Sequence, residues 1–248
     1  MIYGKQYGQG ERFFVCLHGW GGGHREFAPL ASKLPEDVCL LSFDLPGYGD
    51  SPPPTEWSIE AIVEELAQAV RTRHILSCTL VGFCSGAILS LLLARKLPVE
   101  VVRIILIDPF AYVPWYFRLF VAGEFGRRAY ATTFQTGPGR IITDWILKRA
   151  QKSDADFTQA FQSLDHDVTL RYLQLFNQIN VARDVGPIPI PIHIVHGETT
   201  FRAVRQSTGI FQQIWPQATV ETIRGVGHLP LVKGWRQLRR ILFEAEMV

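Results

Sequence analysis

The amino-acid sequence predicts an α/β fold, with a mostly parallel sheet and helices on both of its faces. Two features of the 248-residue chain lead to this prediction. Continuously apolar segments recur along it, and segments with apolar residues at helical spacing lie between them. Parallel strands are buried on both faces, so they read as unbroken apolar runs. With 47% hydrophobic residues, the chain can bury the core of one such domain.

The individual elements follow from these patterns. Strands are predicted at 13–17, 38–43, 78–81, 101–107, 188–195 and 219–223. Helices are predicted at about 26–34, 59–70, 87–97 and 203–215, with a closing helix near the C-terminus. Ser58 directly precedes the apolar stripe of the second helix, where an N-cap residue is expected.

The alternation of strands and helices stops between residues 110 and 184. This stretch is helical in character and rich in aromatic residues: Trp115, Tyr116, Phe117, Phe120, Phe125, Tyr130, Phe134, Trp145, Phe157, Phe161, Tyr172 and Phe176. Sites in open α/β sheets lie above the carboxyl ends of the strands. We therefore expect 110–184 to be a helical lid inserted above that edge, with 1–109 and 185–248 as the core. Most of these aromatic residues should pack lid against core.

Charge and cysteine usage exclude several classes of protein. The formal net charge of +2 gives no basis for nucleic-acid binding, and no apolar run is long enough to span a membrane. The N-terminal residues lack the apolar stretch of a secretion signal. Cys16, Cys39 and Cys78 lie in apolar strand-like runs without CxxC spacing, which indicates buried free thiols and a cytoplasmic location.

The segment Gly82-Phe83-Cys84-Ser85-Gly86 joins a predicted strand to a predicted helix through a sharp turn, which we call the elbow. A strand that turns this sharply into a helix strains the middle residue and exposes its side chain at the sheet edge. The residues two before and two after must be small, because strand and helix approach each other there. Gly82 and Gly86 satisfy this around Cys84, whereas a turn centred on Ser85 would place bulky Phe83 at a tight position. Cys84 is therefore the candidate nucleophile, where serine is usual.

Four features in this order resemble the α/β-hydrolase family over essentially the whole chain. They are His18-Gly19-Trp20-Gly21 after the first parallel strand, Asp44-Leu45-Pro46-Gly47-Tyr48-Gly49-Asp50-Ser51 after the second, the elbow, and Gly227-His228 near the C-terminus. The sequence of the first loop, His18-Gly19-Trp20-Gly21, looks like that of carboxylesterases of the biotin-pathway type. The resemblance implies the fold, the nucleophile elbow and the histidine loop of that family.

His228 is the candidate general base, because the resemblance places the base of the family on this loop. A cysteine attacks as its thiolate, so Cys84 needs a base or a positive field nearby. Two other interpretations remain open. His228 could be an ordinary loop histidine, and Cys84 could mark an elbow that kept its geometry and lost catalysis.

The oxyanion hole of such a site needs two backbone N–H donors. We expect them to be the N–H of Ser85, directly after the nucleophile, and the N–H of Trp20 on the neighbouring loop. The glycines at 21–23 allow that loop to approach a substrate closely. His18 is expected to brace the loop and not to act as a base.

The acid of the triad is where the sequence departs from the family. The resemblance implies an acid at the position of Thr200, which carries no charge. Some members of the family take the acid from the end of the strand after the elbow, where this chain has Asp108. We place Asp108 first, Glu198 second and a cysteine–histidine pair without an acid third. An Asp-Pro turn that simply ends the strand is the structural alternative for Asp108.

These residues predict hydrolysis of a carboxylic ester, lactone or thioester through an acyl-cysteine intermediate. The expected partner is a small-molecule acyl substrate, free or carrier-linked, and no cofactor or metal is expected. An acyltransferase on the same site and a non-catalytic small-molecule-binding homologue are the alternatives. Asp165-His166-Asp167 is expected to be a solvated turn and not a metal site. The arginines of the predicted lid are expected to serve solubility rather than an acidic substrate or carrier.

Overall fold

A twisted sheet forms the centre of the computed structural model, which describes residues 1–32, 34–151 and 158–244. Its strands are β1 (Gly4–Tyr7), β2 (Arg12–Leu17), β3 (Val38–Phe43), β4 (Ser77–Phe83), β5 (Glu100–Ile107), β6 (Ile192–Gly197) and β7 (Thr219–Ile223). They lie in the order β1-β3-β2-β4-β5-β6-β7. All neighbouring pairs are parallel except β1 and β3. The predicted mostly parallel α/β sheet is confirmed.

Helices connect these strands and close the chain. They are α1 (Ala28–Ala31), α2 (Ile59–Arg71), α3 (Gly86–Ala94), α4 (Trp115–Arg118), α5 (Gly123–Tyr130), α6 (Gly137–Gln151), α7 (His166–Phe176), α8 (Val181–Asp184), α9 (Arg202–Ile214), α10 (Pro230–Lys233) and α11 (Trp235–Arg239). Tighter 3₁₀ turns span His24–Phe27, Leu119–Val121 and Gln159–Gln162, and wider π-helical turns span Ala131–Gln135 and Arg240–Glu244. The hydroxyl of Ser58 accepts the N–H of Ala61 at 3.2 Å, as predicted for the N-cap of α2.

Alternate residues of each central strand enter two different apolar cores. On one face of the sheet, Val15 and Leu80 pack in the same cluster as Leu66 of α2 and Leu89 of α3. On the other face, the cluster includes Leu30 of α1, Leu238 of α11, and the strand residues Phe14, Val81, Ile105 and Val195. Because both faces are covered, most strand positions near the centre are apolar, with buried Ser42 and Thr79 as exceptions.

Three details differ from the sequence prediction. The edge strand β1 was not predicted, because its residues are polar and only partly buried. The first helix is shorter than 26–34: the 3₁₀ turn His24–Phe27 leads directly into α1. Strand β6 begins at Ile192 instead of 188, since prolines alternate through the preceding residues and lack the N–H that a sheet ladder requires.

Helices α4–α8 lie between β5 and β6, and we call residues 115–184 the α4–α8 segment. Within it, residues 152–157, and with them Phe157 of the predicted lid, lie outside the described residues. No helix in the described part of the chain is both long and apolar enough to cross a membrane. The cysteines are free thiols, and those of Cys16, Cys39 and Cys78 are buried.

We predict opposite effects on stability for two glycine-to-alanine substitutions. A Cβ on Gly82 would lie 2.5 Å from Ala87 Cα, so Gly82→Ala should lower the free energy of unfolding by about 2 kcal/mol. Gly209, exposed in α9, has open space around it, so Gly209→Ala should raise that free energy by about 0.5–1 kcal/mol. Urea denaturation measures both. An unchanged stability of the Gly82 variant would contradict the close approach at this turn.

Candidate active site

Cys84 lies at the tight turn between β4 and α3, half-buried at the carboxyl edge of the sheet. Its φ of +54° is in the left-handed region, which is costly for a residue with a Cβ. Its N–H donates to the carbonyl of Ile107 at 2.9 Å, which ties the turn to β5. A Cβ on Gly86 would collide with the carbonyl oxygens of Leu17 and His18. The turn therefore has the steric frame expected of an elbow centred on Cys84.

Cys84, His228 and Asp108 meet at this edge. Asp108 follows β5, the neighbour of β4, so the two strand ends lie side by side. Its fully buried carboxylate Oδ2 lies 2.9 Å from His228 Nδ1. The side chain of Cys84 is close enough to the same imidazole to contribute, as a hydrogen-bond partner, to its raised pKa. The structure thus brings together the three residues that the sequence placed first.

The carboxylate of Asp108 has three partners: Gly197, Thr200 and His228. Its Oδ1 accepts the N–H of Gly197 at 2.9 Å, and its Oδ2 accepts the hydroxyl of Thr200 at 2.9 Å as well as the His228 contact. The Thr200 hydroxyl also lies 3.4 Å from His228 Nδ1. Thr200 therefore supports a carboxylate supplied by the neighbouring strand. The sequence reasoning noted only that Thr200 carries no charge and missed its role as a hydrogen-bond donor.

Glu198, the second candidate acid, faces another group. It is exposed, and its Oε2 accepts the N–H of Gly225 at 2.8 Å. This hydrogen bond joins the loop after β6 to the loop that carries His228. Its contact is with the backbone of that loop, whereas Asp108 contacts the imidazole itself.

His228 has a strongly perturbed acidity. Burial alone would lower its pKa, but hydrogen bonds with Asp108 and Cys84, together with the negative charges of both, raise the pKa to about 10. The imidazole is therefore charged at neutral pH. It lies between the carboxylate of Asp108 and the side chain of Cys84. The rings of Phe83, Phe110 and Phe201 surround it, with centroids 5.4, 5.5 and 4.8 Å away. These rings limit access of water to the ion pair.

The loop after β2 lies against the elbow. A Cβ on Gly19 would be 2.8 Å from Cys84 Cβ, so only a glycine permits this approach. Trp20 follows directly, and Ser85 follows Cys84 at the start of α3. Among the described residues, the N–H groups of Trp20 and Ser85 donate to no backbone carbonyl. The two N–H groups predicted for the oxyanion hole are thus not engaged by main-chain carbonyls in the described residues.

His18 braces this loop. It is fully buried, its Nδ1 lies 2.8 Å from the carbonyl of Gly19, and its Nε2 accepts the N–H of Leu45 at 3.0 Å. Burial lowers the pKa of His18 to about 4, partly opposed by the hydrogen bond to Gly19 and the charge of Asp44. The ring is therefore neutral and connects the two loops that follow β2 and β3.

The indole of Trp20 reaches into the α4–α8 segment. Its Nε1–H donates to the carbonyl of Thr169 in α7 at 2.7 Å. Its ring makes edge contacts with Phe117, Phe134 and Phe161, at centroid distances of 5.3, 5.6 and 5.1 Å. The residue that offers a backbone N–H beside Cys84 is thus anchored by its side chain in the helices above the sheet.

Two other features concern the site. They are the side chain of Tyr116 and the segment Asp165-His166-Asp167, which is not expected to bind a metal. Burial raises the pKa of Tyr116 to about 12, with smaller contributions from Tyr112 and the charge of Cys84, so Tyr116 is within electrostatic reach of the thiol. Asp165 caps α7, and its carboxylate accepts the N–H groups of Asp167 and Val168 at 2.9 and 3.1 Å. Asp165-His166-Asp167 is thus the start of a helix.

The sheet order, the elbow after β4 and the histidine loop after β7 together define a hydrolase of the α/β class. Residues 14–240 match the family model described as "Alpha/beta hydrolase family". The chain therefore belongs to the α/β-hydrolase family, and the predicted membership is confirmed.

Known relatives are similar to this chain over different lengths. Lipase 3 of Moraxella sp. (strain TA144) is 24% identical over 251 residues, covering 94% of this chain and 76% of that protein. The pimeloyl-[acyl-carrier protein] methyl ester esterase of Neisseria meningitidis serogroup C / serotype 2a is 32% identical over 95 residues, covering 38% of this chain and 36% of that protein. The structure of a thermophilic esterase from Thermogutta terrifontis covers 98% of this chain and 92% of its own, with a TM-score of 0.77 and 19% identity.

We predict that the contribution of His228 to stability depends on pH. Its pKa is raised from 6.5 to about 10 in the folded protein, so the contribution is complete below pH 6.5 and disappears as the pH rises through 10. The difference in unfolding free energy between the wild type and His228→Gln should therefore shrink from pH 6 to pH 10 in urea titrations. A difference that stays constant over this range would contradict a protonated, ion-paired His228.

Proposed function

We propose that this chain hydrolyses a carboxylic ester, lactone or thioester through a covalent acyl intermediate on Cys84. The observation that carries the proposal is an elbow cysteine that contributes, as a hydrogen-bond partner, to the raised pKa of His228, whose Nδ1 lies 2.9 Å from buried Asp108. Cys84, His228 and Asp108 are the proposed catalytic residues. The N–H groups of Trp20 and Ser85 are the proposed oxyanion hole.

The proposed reaction begins with attack of the Cys84 sulfur on the acyl carbon. The sulfur–carbon bond forms while the carbonyl electron pair moves to the oxygen, where the two N–H groups stabilise the negative charge. When the carbonyl re-forms, the leaving group departs and takes a proton from the His228 nitrogen that does not face Asp108. Asp108 keeps the imidazole in the orientation that this transfer requires.

The second half of the reaction removes the acyl group. Once Cys84 is acylated its negative charge is gone, and with it one of the causes that raise the pKa of His228. The imidazole is thereby more readily kept in the neutral form, which can accept a proton from water. Water attacks the thioester, its proton passes to His228, and the acid product leaves as the Cys84 thiolate and the imidazolium are restored. An alcohol or amine in place of water would give acyl transfer.

The substrate class is proposed from the chemistry of the site and from the names of the relatives. The Neisseria protein is named for the methyl ester of a pimeloyl group on an acyl-carrier protein, and the Moraxella protein is named as a lipase. An ester of a carboxylic acid is common to both names. We therefore propose a carboxylic ester as the primary substrate, either free or carried by an acyl-carrier protein.

We further propose that residues 110–184 act as a lid on a core formed by 1–109 and 185–248. Support comes from aromatic residues of the α4–α8 segment that pack around the Trp20 ring and from Tyr116, which is within electrostatic reach of Cys84. An acyl chain bound at Cys84 would meet these rings.

We predict that Cys84→Ala abolishes acyl-enzyme formation and leaves folding intact, because the substitution removes only the sulfur from a half-buried side chain. Intact-mass spectrometry after incubation with activated p-nitrophenyl esters and thioesters measures the adduct. Ser85→Ala is the matched control and should still form it, since Ser85 is proposed to act through its backbone. Turnover in Cys84→Ala would move the nucleophile elsewhere and refute the elbow frame.

We predict that Asp108→Asn slows removal of the acyl group by roughly 100-fold or more, because an amide cannot balance the charge of the imidazolium. In the same mass-spectrometry series, the adduct should form and clear in the wild type and persist in Asp108→Asn. An adduct that persists in the wild type until an alcohol or amine is added would favour the transferase. No adduct with any substrate of the panel would favour the non-catalytic binding homologue.

A further inference from the structure

Glu26 is an ionisable residue close to the catalytic pair that the proposed reaction does not use. It lies in the 3₁₀ turn His24–Phe27, just after the loop that carries Trp20. Its Oε2 accepts the N–H of Gly19 at 3.2 Å. A Cβ on Gly22 would lie 2.5 Å from the carboxyl carbon of Glu26, so the loop closes around this carboxyl group.

The carboxyl group is also next to the reacting residues. Gly19, which it holds, lies so close to Cys84 that a Cβ on Gly19 would be 2.8 Å from Cys84 Cβ. The charge of His228 acts on Glu26 as well. Glu26 therefore lies behind the oxyanion loop, within electrostatic reach of the imidazole that Asp108 contacts directly.

The surroundings of Glu26 disfavour the ionised form of its carboxyl group. Burial raises the pKa of Glu26 to about 7, while the hydrogen bond from Gly19 and the charge of His228 partly oppose this rise. Of the other charged groups on the elements around it, His24 pairs with Asp44 at 2.9 Å, and Arg25 and Lys233 are exposed. Among the described residues, His228 is thus the cationic group whose charge lowers the pKa of this carboxyl.

We propose that Glu26 is a positioning residue of the active site: it fixes the Gly19–Trp20 loop and adds a second negative charge beside His228. This inference rests on the proposed acyl-cysteine reaction and extends it. Glu26 does not touch the substrate. Its carboxylate acts through the Gly19 N–H on the position of the oxyanion hole, and through space on the proton of His228.

Ionisation of Glu26 then couples the site to pH near neutrality. As the pH rises through about 7 the carboxyl loses its proton, and the new charge strengthens the hydrogen bond that it accepts from Gly19, next to the proposed oxyanion donor Trp20. The rate of acylation should therefore show an inflection near pH 7 that belongs to Glu26.

Glu26→Gln separates charge from hydrogen bonding, because the amide oxygen still accepts the Gly19 N–H. We expect this variant to lose the inflection near pH 7 and to show a lower His228 pKa, read from the ¹⁵N-histidine NMR signal that disappears in His228→Gln. Its kcat at pH 8 should fall roughly tenfold with KM little changed, a smaller loss than removal of an oxyanion donor typically causes.

Two further variants complete the test. Glu26→Asp keeps the charge but shortens the reach to Gly19, so it should retain the pH inflection and lower kcat. Glu65→Gln is the matched control, because Glu65 accepts the backbone N–H of Thr55 at 2.7 Å outside the site. It should behave like the wild type. Thermal unfolding by circular dichroism checks that each variant is folded.

The outcomes separate this inference from the proposed function. If Cys84→Ala is inactive while Glu26→Gln keeps the wild-type pH profile and His228 pKa, the role of Glu26 is refuted and the acyl-cysteine reaction stands. If Cys84→Ala keeps full turnover, the proposed function itself fails. Should Glu26→Gln not fold, loss of the inflection in the charged Glu26→Asp variant would overturn the inference.

Discussion

The candidate site depends on one buried hydrogen bond, between Asp108 and His228. A carboxylate without access to water is costly to ionise unless other groups compensate it. Here the compensation comes from separate parts of the chain, since Gly197 ends β6, Thr200 follows it and His228 follows β7. The sheet brings these strand ends to one edge, and the hydrogen bonds hold their loops in register. Without Asp108 the imidazole would lose the carboxylate that lies 2.9 Å from its Nδ1 and that balances its charge.

The sequence was most informative where a constraint is local and steric. Glycine at positions 82 and 86 identified Cys84 as the residue on the elbow, because a turn of this kind tolerates no Cβ at those two places. Continuous apolar strands likewise indicated a sheet covered on both faces. The choice between Asp108 and Glu198 could only be ranked. It depends on which of two carboxylates faces an imidazole more than 25 residues away along the chain, and no local pattern records that.

The features that the sequence did not reveal have one thing in common: no local sequence pattern marks them. The hydroxyl of Thr200 is indistinguishable in the sequence from any other threonine, yet it donates to Asp108. Glu26 stands in a short turn with no periodicity, and its bond to Gly19 depends on the bare Cα of Gly22. The edge strand β1 lacks an apolar run because only one of its sides pairs with the sheet. Such features require the three-dimensional arrangement.

The anchoring of Trp20 has a consequence for how this protein can diversify. Its backbone N–H is a proposed donor of the oxyanion hole, while its indole is held by Thr169 and by aromatic rings of the α4–α8 segment. A segment attached to the core only by its two ends could be exchanged as a module, with the catalytic residues unaffected. Here an exchange of the α4–α8 segment would also remove the groups that hold the indole of Trp20. Under the proposed function, substitutions in this segment that alter substrate preference must therefore leave the packing around the indole intact.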